Sequence, residues 1–109
     1  MNLADFNRSV EQRGLYLQEL LTKKGTEYAP SAERFENFIE GQNFMDCSKQ
    51  EALWCWLSKQ LVGVKLHCLG KNSLSQEKID EKINDCIAYL LILGAMCDEE
   101  ASAEASIKI

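Results

Sequence analysis

Proline occurs once in the 109 residues, at Pro30, and histidine once, at His67. No Cys-x-x-Cys pair is present, no strand-length alternation of apolar and polar residues, and no uncharged run longer than Cys86 to Cys97. Each absence excludes something. Without alternation the chain reads as helices rather than hairpins. With one histidine, and no Ser or Cys assignable to it with an orienting acid, a nucleophilic triad has no basis. His67 reads as a helix-end residue. Five cysteines, an odd number with no ligand spacing, fit neither a zinc cluster nor a disulfide framework. Cys55, Cys68, Cys86 and Cys97 sit in helical apolar patterns and are expected as core thiols in a reducing compartment. The uncharged run falls short of the roughly 20 residues that span a bilayer. The first residues, MNLADFNRSVEQRG, lack a basic segment leading into an apolar one. A cytoplasmic protein without a membrane anchor is the expectation. The net charge of −5 speaks against a nucleic-acid polymer as partner, but not against a small phosphorylated ligand met by local cations.

What the chain does have is 46% apolar and 27% charged residues, enough for one modest core. Phe6, Val10, Leu17, Leu20 and Leu21 predict a first helix from about Leu3 to Lys24, capped by Asn2 or Asp5 and stopped by Gly25. Ser31 is placed to cap a second, carrying Arg34, Phe35, Phe38 and Ile39 and ending near Gly41. Ser48 with Glu51 three residues on is a capping box for a third. Trp54, Leu57, Leu61, Val64 and Cys68 form its expected stripe, and Gly70 its stop. Ser75 caps a fourth. The expectation is an all-α, four-helix bundle-like domain over 1–97, with 98–109 an acidic, frayed tail.

The fourth helix, QEKIDEKINDCIAYLLILGAMC, carries two patterns in sequence. Its first half projects Glu81 and Asp85 from one face, since residues four apart stack on a helix. Two such carboxylates suit a Mg²⁺ ion or the polar edge of a nucleotide, or they are a solvated helix start. Its second half, Cys86 to Cys97, is apolar all round, more than one bundle face needs. A central helix or a homo-oligomer, most simply a dimer, accounts for the excess.

Three stretches, KKGTEYAPSAERFENFIEG, ALWCWLSKQLVGV and EKIDEKINDCIAYLLIL, carry a resemblance covering roughly Lys23 to Leu93. They resemble the small all-α phage and prophage proteins of the nucleotide modification associated group, MazG-like relatives of the all-α nucleotide pyrophosphatases. The matching residues are Glu27-Tyr28, Arg34-Phe35 with Asn37-Phe38, Lys59, and Asp85 with Tyr89. The resemblance implies a nucleotide pocket. In active MazG-type enzymes an E-x-x-E pair faces an E-x-x-D pair, and the four carboxylates hold Mg²⁺ around the phosphates. Here Glu81 and Asp85 are spaced by four, and Ala88 precedes Tyr89 where many relatives have Asn. Glu33 and Glu36 have the E-x-x-E spacing but share a helix whose core face is Phe35, Phe38 and Ile39.

The candidate ligand-binding set is Tyr28, Arg34, Asn37, Trp56, Lys59, Asp85 and Tyr89, with Glu81 and Asp85 as a candidate metal pair. Arg34 and Asn37, one turn apart, supply a phosphate fork and a base-reading amide, or simply bond a neighbouring helix. Lys59 either contacts phosphate or snorkels to the surface. Trp54 shares the apolar stripe and reads as core; Trp56, off the stripe, is free to stack on a base, seal an interface or face solvent. Tyr28 and Tyr89 are candidates for stacking, with a core role the alternative for Tyr89. Three functions are compatible: a protein that binds a nucleotide or nucleotide-derived signal, sequestering a host-defence messenger without turnover and with no required cofactor; a Mg²⁺-dependent nucleotide pyrophosphohydrolase; and a helical adaptor with no small-molecule site. The incomplete acid set favours the first, because catalysis on a triphosphate needs several charges fixed around metal.

Overall fold

The computed structural model describes residues 1–22 and 34–107, without the side chains of 106 and 107. The fold is all-α, as its sequence predicts, with four helices among the described residues. They are α1 (Leu3–Thr22), α2 (Glu36–Met45), α3 (Lys49–Cys68) and α4 (Gln76–Ile107). The chain divides into two compact units, Met1–Asn37 and Phe38–Ile109, the boundary falling in the first turn of α2.

In the first unit, Asn2 caps α1, its Oδ1 accepting from the Asp5 N–H at 2.8 Å. Only part of the expected stripe of α1 is covered: Leu17 is buried, Leu20 and Leu21 are half-buried, and Phe6 and Val10 are exposed. Gly25, Pro30 and the Ser31 cap lie outside the described residues.

The second unit begins with α2, which does not end at Gly41 but continues to Met45. The stop is Asp46, which adopts φ 53, the left-handed region that aspartate tolerates better than most residues. Gly41 instead marks a close approach to α3, where an added Cβ would lie 3.3 Å from that of Ala52. The Ser48–Glu51 capping box forms as the sequence requires. α3 closes at Gly70 (φ 70), with Gly70 N–H bonded to His67 O and Lys71 N–H to Leu66 O, a Schellman arrangement. Ser75 Oγ then accepts from Lys78 N–H to start α4.

α3 and α4 run antiparallel. Lys49 Nζ meets Glu99 at 2.6 Å, Gln50 bonds Glu100, and Lys82 Nζ reaches Gln60 Oε1 at 3.5 Å. Between them lie Ala52, Leu53 and Leu57 of α3 and Ile79, Cys86, Ala88 and Met96 of α4, with Phe38 from α2 also buried. Leu53, Leu57 and Met96 are sealed completely, each worth about 1.5–3 kcal/mol of transfer free energy.

Three expectations change here. α4 continues past Cys97 to Ile107, so the segment read as a frayed tail is helical there. Its Glu and Ala residues are strong helix formers, and Glu99 and Glu100 are tied to the start of α3. Trp54 is not core: it is 47% exposed, because the buried face of α3 runs through Ala52, Leu53 and Leu57, with Trp56 half-buried beside them. Of the five free cysteines only Cys86 is buried; Cys55, Cys68 and Cys97 are exposed and Cys47 intermediate. Cys55 and Cys68 fall off the buried face of α3. Among the described residues no helix is long and apolar enough to cross a membrane.

Candidate functional site

The second unit brings three of the sequence candidates together. Phe38, at the start of α2, packs against Trp56 of α3 with ring centroids 5.1 Å apart and tilted by 46°. It also meets Tyr89 of α4 edge-on at 6.2 Å. Gly41, one turn along α2, allows this: Trp56 Cη2 and Cζ2 lie 3.5 Å from where its Cβ would stand. Asp85 lies one turn before Tyr89 on the same face of α4. Trp56, Asp85 and Tyr89 are all half-buried.

The electrostatics of this cluster run in one direction. Burial raises the Asp85 carboxyl above its ordinary range, Glu81 raises it further, and Lys82 opposes both. Burial likewise pushes the Tyr89 phenol up, reinforced by Asp85 and Cys86. The phenol therefore remains a neutral donor and acceptor at physiological pH, beside a carboxylate that is costly to keep ionised. Such a pair is suited to hydrogen-bonding a neutral amine or hydroxyl. Aromatic rings of two helices, Trp56 and Tyr89, meet on Phe38 beside it.

Lys82 was not among the candidates. It is nonetheless the cation that Asp85 feels, and its alkyl chain lies across Gly63, whose missing Cβ leaves room at 3.3 to 3.4 Å. The signal was present in the sequence: a lysine three residues before Asp85 on a helix that must pack against a glycine-bearing neighbour. Phe38 is buried, as its spacing predicts, and its part in joining Trp56 to Tyr89 depends on the helix register.

The other candidates stand elsewhere. Lys59, one turn beyond Trp56, is exposed. Arg34 and Asn37 are exposed and belong to the first unit; Tyr28 and Glu33 lie outside the described residues. Glu81, the other half of the proposed metal pair, is exposed and lies 3.9 Å from Lys78. Among the described residues no group of three or more His, Cys, Asp or Glu side chains is placed to hold a metal ion. His67 is structural: its Nδ1 accepts the Leu74 N–H at 2.9 Å, pinning the α3–α4 connection. No protein-family model, curated protein or solved structure matches the chain.

Proposed function

We propose that this chain binds a nucleotide-type small molecule without turning it over, the base lying against Trp56 and Tyr89. The observation that supports this reading is the Phe38-centred aromatic cluster with the half-buried Asp85 one helical turn away. The base stacks on the aromatic faces while Asp85 accepts from an exocyclic amine or a ribose hydroxyl. Lys59, exposed one turn beyond Trp56, is the group assigned to phosphate. Capture of a nucleotide-derived messenger follows from the same chemistry, with no bound metal required.

Tryptophan emission tests this directly. In a Trp54→Phe protein only Trp56 reports, and titration with ATP, GTP or a cyclic dinucleotide should quench it saturably, equally with chelator and with Mg²⁺. Intact ligand should be recovered afterwards. Pyrophosphate release in Mg²⁺ would replace binding by hydrolysis. Absence of quenching and of any thermal shift up to millimolar concentrations of all three would defeat the nucleotide reading and favour the helical adaptor.

A further inference from the structure

The hydrogen-bonding edges of the bases differ in the order of their donors and acceptors, and the polar groups near Tyr89 have an order of their own. Lys82 and Asp85 lie one turn apart on α4, so a cation and a carboxylate are neighbours on one face. Both are half-buried. α3 gives the cation its room: Nζ lies 3.4 Å from where a Gly63 Cβ would stand, and it reaches Gln60 Oε1 at 3.5 Å. That bond is long and uses a single ammonium proton, which leaves donors to spare. Asp85 has no such partner. Among the described residues its carboxylate accepts no hydrogen bond and feels only the attraction of Lys82 against the repulsion of Glu81. A half-buried carboxylate without donors carries a desolvation penalty that a ligand's N–H groups would offset.

We infer that the ligand is a guanine nucleotide, its base edge read by Asp85 and Lys82. The inference rests on the nucleotide-binding reading above and names the base. Guanine presents adjacent N–H donors, N1–H and the N2 amine, beside the acceptor O6. A carboxylate takes both donors in a bidentate pair, and the neighbouring ammonium donates to O6. The other bases break this order. Adenine and cytosine each place a ring-nitrogen acceptor beside the amine, and the one N–H of uracil lies between carbonyls. All of these turn a lone pair toward the Asp85 oxygens, which leaves an acceptor unsatisfied. Hypoxanthine keeps O6 and N1–H but lacks the amine, so it isolates one bond of the set. Stacking against Trp56 and Tyr89 is tolerant of base identity, and selection therefore falls to Asp85 and Lys82.

Quenching of Trp56 in the Trp54→Phe protein, titrated in chelator with GTP, ITP and ATP, tests this. GTP should bind about tenfold or more tighter than ITP, which lacks one hydrogen bond to a charged group, and ATP no tighter than ITP. Asp85→Asn, an amide of the same shape, should bind GTP and ITP equally. Lys82→Met keeps the stem over Gly63 and should weaken GTP and ITP alike, because both carry O6, while ATP is unchanged. Circular dichroism reports whether each variant is folded; if Lys82→Met loses helicity, Asp85→Asn decides. ITP or ATP binding as tightly as GTP overturns the inference and leaves the nucleotide reading standing. A GTP preference that survives Asp85→Asn overturns it too. Quenching by none of the three also overturns it, and the cyclic dinucleotide titration then decides the wider reading.

Discussion

Gly41→Ala should destabilise the second unit, although alanine is the better helix former. In an ordinary interior position the exchange favours the helix by about 1 kcal/mol. Here the new methyl would stand 3.3 Å from Ala52 Cβ and 3.5 Å from two Trp56 ring carbons. Ala52 is fully buried and its Cβ is fixed to the α3 backbone, so it cannot turn aside. Trp56 is held against Phe38. The helices must separate, and overpacking of this kind costs about 1–3 kcal/mol. The net expectation is a loss of about 1 kcal/mol. Gly63→Ala is the internal control. Its Cβ would meet only Lys82, at 3.3 Å from Cδ and 3.4 Å from Cε and Nζ, the far end of a flexible chain that can swing away. That variant should gain about 0.5–1 kcal/mol. Urea unfolding followed by circular dichroism separates the two as opposite midpoint shifts at a common slope. If Gly41→Ala proves as stabilising as Gly63→Ala, α2 does not approach α3 as described, and the aromatic cluster loses its geometric basis.

Asp85 is held above the ordinary carboxylate value of 3.8 chiefly by burial, so the folded chain binds its proton more tightly than the unfolded one. Its ionisation takes stability away as pH rises from 3.8 through the raised value. Asp85→Asn should therefore melt higher than wild type near neutral pH, the gap closing below pH 3.8; a gap independent of pH would refute the assignment. His67→Ala leaves the Leu74 N–H without its acceptor and should cost about 1–3 kcal/mol, read as a lowered melting temperature, whereas a neutral outcome would mean water replaces the imidazole. Lys59→Ala should weaken nucleotide binding by about 1–3 kcal/mol in calorimetry with no change in melting, since an exposed cation adds little to stability. Equal affinity in wild type and variant would remove Lys59 from the site.

The helix ends were legible wherever a local rule governs them. Asn2, Ser48 with Glu51, Gly70 and Ser75 act through hydrogen bonds or φ values that their own residue types dictate. Gly41 reads as a stop in the sequence because glycine has two uses, and only the neighbouring helix shows which one applies. Asp46 took the left-handed position instead, a choice that a single sequence leaves open between aspartate and glycine. The end of α4 reads as a tail for the same reason. Glu99 and Glu100 look solvated in sequence, and their partners Lys49 and Gln50 lie 50 residues away.

Trp54 and Trp56 show why half of the site was legible and half was not. The two differ by about 200° around an α-helix, so one must face away when the other faces in. Apolar spacing alone chose Trp54, because Leu57 and Leu61 lie three and seven residues on. The structure chooses Trp56, because α3 must present Ala52, Leu53 and Leu57 to α4 and also meet the short α2 at Gly41. Packing against two neighbours rotates the buried arc toward Trp56, and Leu61, on the old stripe, is left 43% exposed. That rotation is what places Trp56 on Phe38 and leaves Asp85 half-buried one turn from Tyr89. The aromatic cluster is thus a consequence of where three helices meet, while the stem of Lys82, the cation beside Asp85, lies across Gly63. A substitution that turned α3 back, restoring Trp54 to the inside, would separate Trp56 from Phe38 and remove the stacking surface without touching Asp85 or Tyr89.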